Sequence, residues 1–380
     1  MKIAIVHDYI KEYGGAERVL GELHKLFPEA PIFTSIYAPE YLGPHQWVFR
    51  QMRIKTSFLQ WIPYKEKLIS IFRLISPLAF LSFDLSKFEI IIVSQTGAYF
   101  PNFVRKGSAH STSSGQAKLI CYTHTPPRYL YGYMTAREWQ KDTLMRIFGS
   151  VANHFLRMVD FKASENVDYF IANSEEVAAR IQKFYRRDAA VINPPISTSE
   201  VGVTFTSEVK NKEYYLAGGR LARAKGIDII VEAFNRNGKK LKIFGKGFAG
   251  FDEELKSLVA HRGSHVEFLG EVTDIERQEL MANAKAYVFA SFDEDFGITP
   301  VEAMAAGTPV IAYQSGGVRE TVVEDKTGIF FDENTPDAIN GAIKKYESLK
   351  ISSNACRKQA QKFSAEVFDR EIKEFVKSVA

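Results

Sequence analysis

Short apolar runs alternate with amphipathic stretches along the chain, and the scheme is played twice. In the first half, runs at 2–7 (KIAIVH), 31–37 (PIFTSIY), 89–95 (EIIIVSQ), 119–125 (LICYTHT) and 169–174 (YFIANS) read as strands. Their apolar residues are continuous rather than alternating, as expected for parallel strands covered on both faces. Stretches with a period near 3.6, such as AERVLGELHKLF (16–27) and SEEVAARIQKFY (174–185), read as the intervening helices. The second half repeats this. Strands read at 213–219, 240–245, 265–270, 286–291 and 309–314, with helices at 226–237, 252–263 and 275–284. Between the halves, Pro194-Pro195 and a Ser/Thr-rich run mark a linker over 194–205. The pattern predicts two doubly wound, Rossmann-like α/β domains, 1–193 and 206–360. In such domains ligands bind beyond the carboxyl ends of the strands, so the cleft between them is the expected site.

Composition narrows the class. The chain has 380 residues, 46% hydrophobic and 25% charged, a soluble globular balance. A net charge of +4 does not argue for nucleic acid. Cys121 and Cys356 lie in apolar surroundings with no ligand-spaced partner, which speaks against a disulfide framework and for a reducing compartment. No signal peptide and no transmembrane helix are expected; the nearest apolar approach, 68–83, is interrupted by Arg73 and Pro77. Segment 105–118 is small and polar and reads as a surface loop.

Candidate chemistry clusters after strands. Gly14-Gly15 follows the first, where glycine permits positive φ and a phosphate can approach the helix N-terminus; an ordinary βα turn explains it equally well. Arg220 and Lys225 follow the strand at 213–219, placed to neutralise a diphosphate or simply to be solvated. Gly245-x-Gly247-x-x-Gly250 has dinucleotide-fingerprint spacing, which keeps an NAD(P)-dependent oxidoreductase as the alternative. His124 ends an apolar strand before Pro126-Pro127. Arg128 and the tyrosines 122, 129, 131 and 133 around it suggest a wet binding surface. The acids at 293–295 lack a further ligand, so no metal is expected.

The stretch 293–307, DEDFGITPVEAMAAG, places Glu294 and Glu302 on either side of a turn. Thr299, Pro300 and Glu302 fit a capping box, with Thr299 as N-cap, Pro300 at the first helical position and Glu302 at the third. Glu294 is outside that box, after a strand. Backbone N–H groups at Phe296, Gly297 and Ile298 would meet an anion between the two acids. Hydroxyls at both ends with phosphates between them is the layout of a nucleotide-sugar.

These residues resemble a known family. EDFGITPVEAMAAGTPVIA (294–312) is similar to the Glu-x7-Glu region of retaining glycosyltransferases of family 4, which have the two-domain GT-B fold. GGRLARAKG (218–226), SGGVRETV (315–322), TGIFFD (327–332) and GGAERVL (14–20) resemble further elements of that family in the right order. The segments 84–107 and 121–131 are similar to the O-antigen mannosyltransferase branch.

The resemblance implies a role for each matching position. Glu294 contacts the transferred sugar's hydroxyls, and Glu302 holds the ribose as well as capping its helix. Arg220 and Lys225 bind the diphosphate, supported by the amides of Phe296, Gly297 and Ile298. Gly14 and Gly15 let the first helix approach the phosphate. His124 faces the sugar and the acceptor, with Arg128 and Tyr129 on the acceptor side. A final helix, 361–380, crosses back to the first domain. The implied function is transfer of a hexose with retention, mannose favoured and GDP-mannose its donor, to a glycan or lipid-linked acceptor in cell-surface polysaccharide synthesis. No metal or cofactor is implied. A sugar phosphorylase or a non-catalytic sugar-nucleotide binder on the same fold is the remaining rival.

Segment 50–75 carries six cations (Arg50, Arg53, Lys55, Lys65, Lys67, Arg73) and one acid, Glu66, interleaved with Phe58, Trp61, Tyr64 and Phe72. This composition suits an anionic bilayer surface, or else a solvated basic face over a local core. The expected location is cytoplasmic, peripheral on the inner leaflet.

Overall fold

Ile3–His7 (β1) is buried at all five positions. Such a strand needs a neighbour on each edge and a layer on each face. A computed structural model describes residues 1–107, 115–135, 143–196, 212–248, 250–259 and 265–380. The chain divides into two compact units. The first takes in Met1–Tyr133, Trp139–Pro195 and Ala365–Ala380, the second Met134–Glu138 and Ile196–Ser364, as far as they are described.

In the first unit β1 is joined by β2 (Ile32–Thr34), β3 (Ile54–Thr56), β4 (Ile90–Gln95), β5 (Lys118–Thr123), β6 (Tyr169–Ala172) and β7 (Ala189–Val191). The sheet runs β3-β2-β1-β4-β5-β6-β7, every pair parallel. The chain order reverses between β1 and β4, and the register pairs His7 with Ser94 there. Helices α1 (Gly15–Leu26), α2 (Ile69–Phe72), α3 (Ser76–Leu81), α4 (Thr143–Glu165) and α5 (Glu175–Tyr185) connect the strands. In α1 the residues Val19, Leu20 and Leu23 turn inward at helical spacing. Ser174 caps α5, its hydroxyl accepting from Val177 N–H at 3.1 Å.

The second unit is built from β8 (Tyr214–Gly218), β9 (Leu241–Phe244), β10 (Val266–Gly270), β11 (Ala284–Phe289), β12 (Val310–Tyr313) and β13 (Gly328–Phe331). Its order is β10-β9-β8-β11-β12-β13, again parallel, with the reversal between β8 and β11. Its helices are α6 (Ile227–Asn237), α7 (Phe251–Ser257), α8 (Asp274–Asn283), α9 (Ile298–Ala305), α10 (Val318–Thr321), α11 (Pro336–Ser348) and α12 (Ser353–Ala360). The final helix, α13 (Ala365–Val379), belongs to the first unit. Its Phe368, Ile372 and Val376 recur every fourth residue and are buried in the core that holds Ile5 and Tyr122.

The ten strands read from the sequence all form. The structure adds β3, β7 and β13. Two of these have three residues, too short for a period to register. Residues 197–205 of the expected linker and 108–114 of the polar segment lie outside the described residues.

Candidate active site

In the second unit the candidate residues gather at the reversal point. β8 ends in Gly218 and Gly219, both with positive φ (155° and 109°). A Cβ on Gly245 would lie 1.8 Å from the carbonyl oxygen of Gly219. The first glycine of the dinucleotide-like spacing therefore lets β9 close against this turn. The third, Gly250, caps the seven-residue α7.

Lys225 sits in a turn drawn onto the end of β11, because a Cβ on Gly226 would stand 2.4 Å from Ala290 O. Its Nζ donates to Glu294 Oε2 at 2.5 Å, and the Ser291 hydroxyl donates to the same oxygen at 2.6 Å. The Glu294 main chain is also held, its carbonyl accepting from Gly317 N–H at 2.8 Å. Gly316 lies so close to that main chain that a Cβ would meet Glu294 O at 2.2 Å. Glu294 is thus fixed by backbone on one side and by a cation and a hydroxyl on the other, with its carboxylate 15% exposed. Arg220 is exposed, its guanidinium 5.9 Å over the Phe248 ring.

The expected capping box does not form. Gly297, at φ 89° and ψ 59°, is the N-cap of α9, and the helix starts at Ile298. The left-handed conformation that glycine adopts freely lets the chain turn into the helix two residues earlier. Pro300 becomes the third helical residue and Glu302 the fifth. The Thr299 side chain instead lies near the hydroxyl of Tyr287, which donates to Gly218 O at 2.7 Å. Burial first, and Glu302 second, raise the Tyr287 pKa, so it remains a donor. Glu302, 10% exposed, accepts from Arg277 Nη2 at 3.4 Å; Arg277 also pairs with Asp274 at 2.9 Å. Between the two acids, the amides of Phe296, Gly297 and Ile298 donate no hydrogen bond among the described residues. Such amides at a helix start suit an anion.

Ser291, Tyr287, Arg277, Gly316 and Gly317 were not singled out from sequence. Ser291 carries a signal in hindsight, closing a buried strand three residues before Glu294. Arg277 carries none, since its tie to Glu302 depends on how α8 packs on α9.

In the first unit His124 follows β5. Its Nε2 lies 3.0 Å from Ser94 Oγ, and Ser94 Oγ lies 3.1 Å from His7 Nδ1. Desolvation, with His7 adding to it, pulls the His124 pKa down to about 3, so the ring is neutral at physiological pH. The expected positive φ at the Gly14-Gly15 turn is corrected. Gly14 is extended at φ −132°, and neither glycine is in the left-handed region. The turn is held by Glu17, whose Oε2 accepts from Gly14 N–H at 2.9 Å.

The wet tyrosine surface is also corrected: none of the four is exposed. Tyr122 is fully buried and donates to Ile192 O at 2.9 Å. Tyr129 lies under Arg73, 4.2 Å from ring centroid to guanidinium, and Arg128 is half-buried beside it. Tyr131 donates to Asp160 at 2.7 Å, and Tyr133 lies under Arg180. Each ring has an internal partner that a sequence pattern does not display.

In the basic segment Phe58, Trp61 and Tyr64 are exposed, Trp61 by 85%, while Phe72 is buried. Arg53 pairs with Glu29 at 2.8 Å, and Lys55 lies 5.4 Å over Phe33. Among the described residues no helix is long and apolar enough to cross a membrane, and no group of three His, Cys, Asp or Glu could hold a metal.

Comparison with known proteins follows the same division. The model for glycosyl transferases group 1 matches residues 204–363, and that for Glycosyltransferase Family 4 matches 13–200. The alpha-1,3/1,6-mannosyltransferase ALG2 of Dictyostelium discoideum is 25% identical over 80% of this chain and 79% of its own. The Anabaena protein HepE, solved with UDP and glucose, superposes over all of both chains with a TM-score of 0.70 at 19% identity. The lipopolysaccharide outer core galactosyltransferase WaaB does so with a TM-score of 0.67 at 17% identity. With the two parallel sheets and the residues held at the reversal point of the second, these matches identify the chain as a family 4-type glycosyltransferase of the GT-B fold.

Proposed function

We propose that this glycosyltransferase moves a hexose, mannose favoured, from a nucleoside-diphosphate donor such as GDP-mannose to a glycan or lipid-linked acceptor, with retention, in cell-surface polysaccharide synthesis. The observation that carries the reading is the Lys225–Glu294–Ser291 cluster beside the amides of Phe296, Gly297 and Ile298. A cation and helix-start amides suit a diphosphate; a fixed carboxylate suits sugar hydroxyls. The mannose preference is supported by the mannosyltransferase activity of ALG2, and the nucleotide-sugar by the UDP and glucose bound to HepE.

In the proposed reaction the bond from the anomeric carbon to the diphosphate breaks and a bond to the acceptor oxygen forms on the same face. The acceptor's proton passes to the leaving diphosphate. Arg220 and Lys225 stabilise the departing charge. Glu294 orients the sugar, Glu302 holds the ribose hydroxyls, and Gly14 and Gly15 leave room for the phosphate. His124, neutral, meets a sugar hydroxyl, with Arg128 and Tyr129 toward the acceptor. The reading assigns no metal or organic cofactor. It places the enzyme in the cytoplasm, with residues 50–75 against an anionic leaflet.

Family membership removes the nicotinamide reading. Mass spectrometry over a panel of nucleotide-sugars tests the rest. Acceptor-dependent release of GDP from GDP-mannose, with an α-linked product, is the expected result. Release only with inorganic phosphate as acceptor would make it a phosphorylase; binding without release, a sugar-nucleotide binder.

A further inference from the structure

Three polar side chains at the reversal point of the first sheet have no part in the chemistry above: Glu17, His7 and Ser94. All are buried. We propose that they form a positioning relay that sets the tautomer of His124, so that its Nδ1 is offered as a hydrogen-bond acceptor, and that ties this choice to the Gly14-Gly15 turn.

The relay follows from counting protons. Ser94 Oγ lies between two imidazole nitrogens, His7 Nδ1 at 3.1 Å and His124 Nε2 at 3.0 Å, and has a single proton. A hydroxyl donates once and accepts twice, so at most one ring can accept that proton, and if one does the other must donate its own. The far side of His7 decides which. His7 Nε2 is buried, makes no hydrogen bond, and points toward Glu17 Oε1 at 3.7 Å. A bare ring nitrogen facing a carboxylate oxygen sets two lone pairs against each other in a dry site. An N–H there is favourable.

A neutral His7 therefore carries its single proton on Nε2, and its Nδ1 is the acceptor. Ser94 donates to His7 and accepts from His124 Nε2–H. His124 Nδ1 is left as a bare lone pair, and it has no hydrogen-bond partner among the described residues. The other oxygen of Glu17 accepts from Gly14 N–H at 2.9 Å, so one carboxylate holds the turn and selects the tautomer. Main-chain bonds keep the far end in place: His124 N–H donates to Gln95 O and His124 O accepts from Asn173, each at 2.9 Å. A ring of this kind accepts from a hydroxyl and disfavours an ether or carboxylate oxygen at the same point.

The tautomer is a property of the free protein. Only its effect on turnover rests on the reading that His124 meets the sugar. The test uses the full chain with ring-15N histidine and long-range 1H–15N correlation at neutral pH without substrates. His124→Gln assigns the signal among the eight histidines.

In the wild type His124 should be protonated on Nε2 and unprotonated on Nδ1. Ser94→Ala, and Glu17→Gln, which keeps an acceptor for Gly14, should each give a mixture of tautomers. Both should lower kcat about tenfold, with the donor KM within about twofold, and Ser94→Thr should restore both readouts. A wild-type proton on Nδ1, or an unmoved tautomer in both variants, overturns the relay. A tautomer that moves while kcat does not upholds the relay and removes His124 from the sugar. If Ser94→Ala does not fold, the wild type and Glu17→Gln still decide.

Discussion

Lys225 Nζ sits 2.5 Å from Glu294 Oε2, so the proposed phosphate cation and the proposed sugar carboxylate hold each other. The pair is partly solvated, and its direct worth to folding is small. Its consequence is kinetic. Lys225→Ala and Glu294→Gln should each cost about 2–4 kcal/mol in the transition state, roughly 30- to 1000-fold in kcat. Because each residue positions the other, the double variant should lose clearly less than the two losses combined. Steady-state release of nucleoside diphosphate measures this, and full additivity would show that they act separately.

Helix α9 is capped by Gly297, not Thr299, and stability should report it. Gly297→Ala forces a Cβ into the left-handed region and should cost about 1–2 kcal/mol. Glu302→Gln removes no cap and should change stability by less than about 0.5 kcal/mol while raising the donor KM. Denaturant unfolding and initial rates give both values. A larger stability loss at Glu302 than at Gly297 would restore the capping box.

The sequence announced more of the sheets than of the sites. Continuous apolar runs such as EIIIVSQ left little choice but buried parallel strands, and the reversal points followed once the order was known. Glu294, Lys225 and Arg220 were legible because strand ends and glycines mark them. Thr299 misled because Thr-Pro-x-Glu fits a cap locally, while Gly297 adopts the left-handed turn and starts the helix before it. Ser94 and His7 were invisible because no spacing links positions 87 residues apart; only parallel register does.

Asp160 should give the first unit a pH signature. It is buried on α4 and accepts from Tyr131 at 2.7 Å and Tyr185 at 3.0 Å. Desolvation outweighs these bonds and pushes its pKa up from 3.8 to about 7. The folded protein keeps the proton until about pH 7, whereas the unfolded chain releases it near 3.8. Stability is therefore lost as pH rises between those values, by up to about 1.4 kcal/mol per unit. Asp160→Asn should gain on the wild type as unfolding is measured from pH 5 to pH 8. A constant difference would place the Asp160 pKa in the ordinary range.

The exposed aromatics and cations of 50–75 should bind an anionic bilayer. In liposome sedimentation the wild type should pellet with anionic but not neutral vesicles and be released by salt, each cation adding about 1 kcal/mol. The variant with Arg53, Lys55, Lys65 and Lys67 all changed to Gln should stay in the supernatant. Equal behaviour of the two proteins, bound or unbound, would refute membrane docking.

The last helix, α13, completes the core of the first unit, where Phe368 lies 6.0 Å from Tyr122. A ribosome makes the strands of that unit early and its closing helix last. Until residue 376 emerges, a patch over Ile5, Ile92 and Tyr122 stays uncovered, while the whole second unit can already fold. The half of the enzyme that is synthesised first is thus finished last, and a premature stop near residue 364 would spare the second unit and leave the first open.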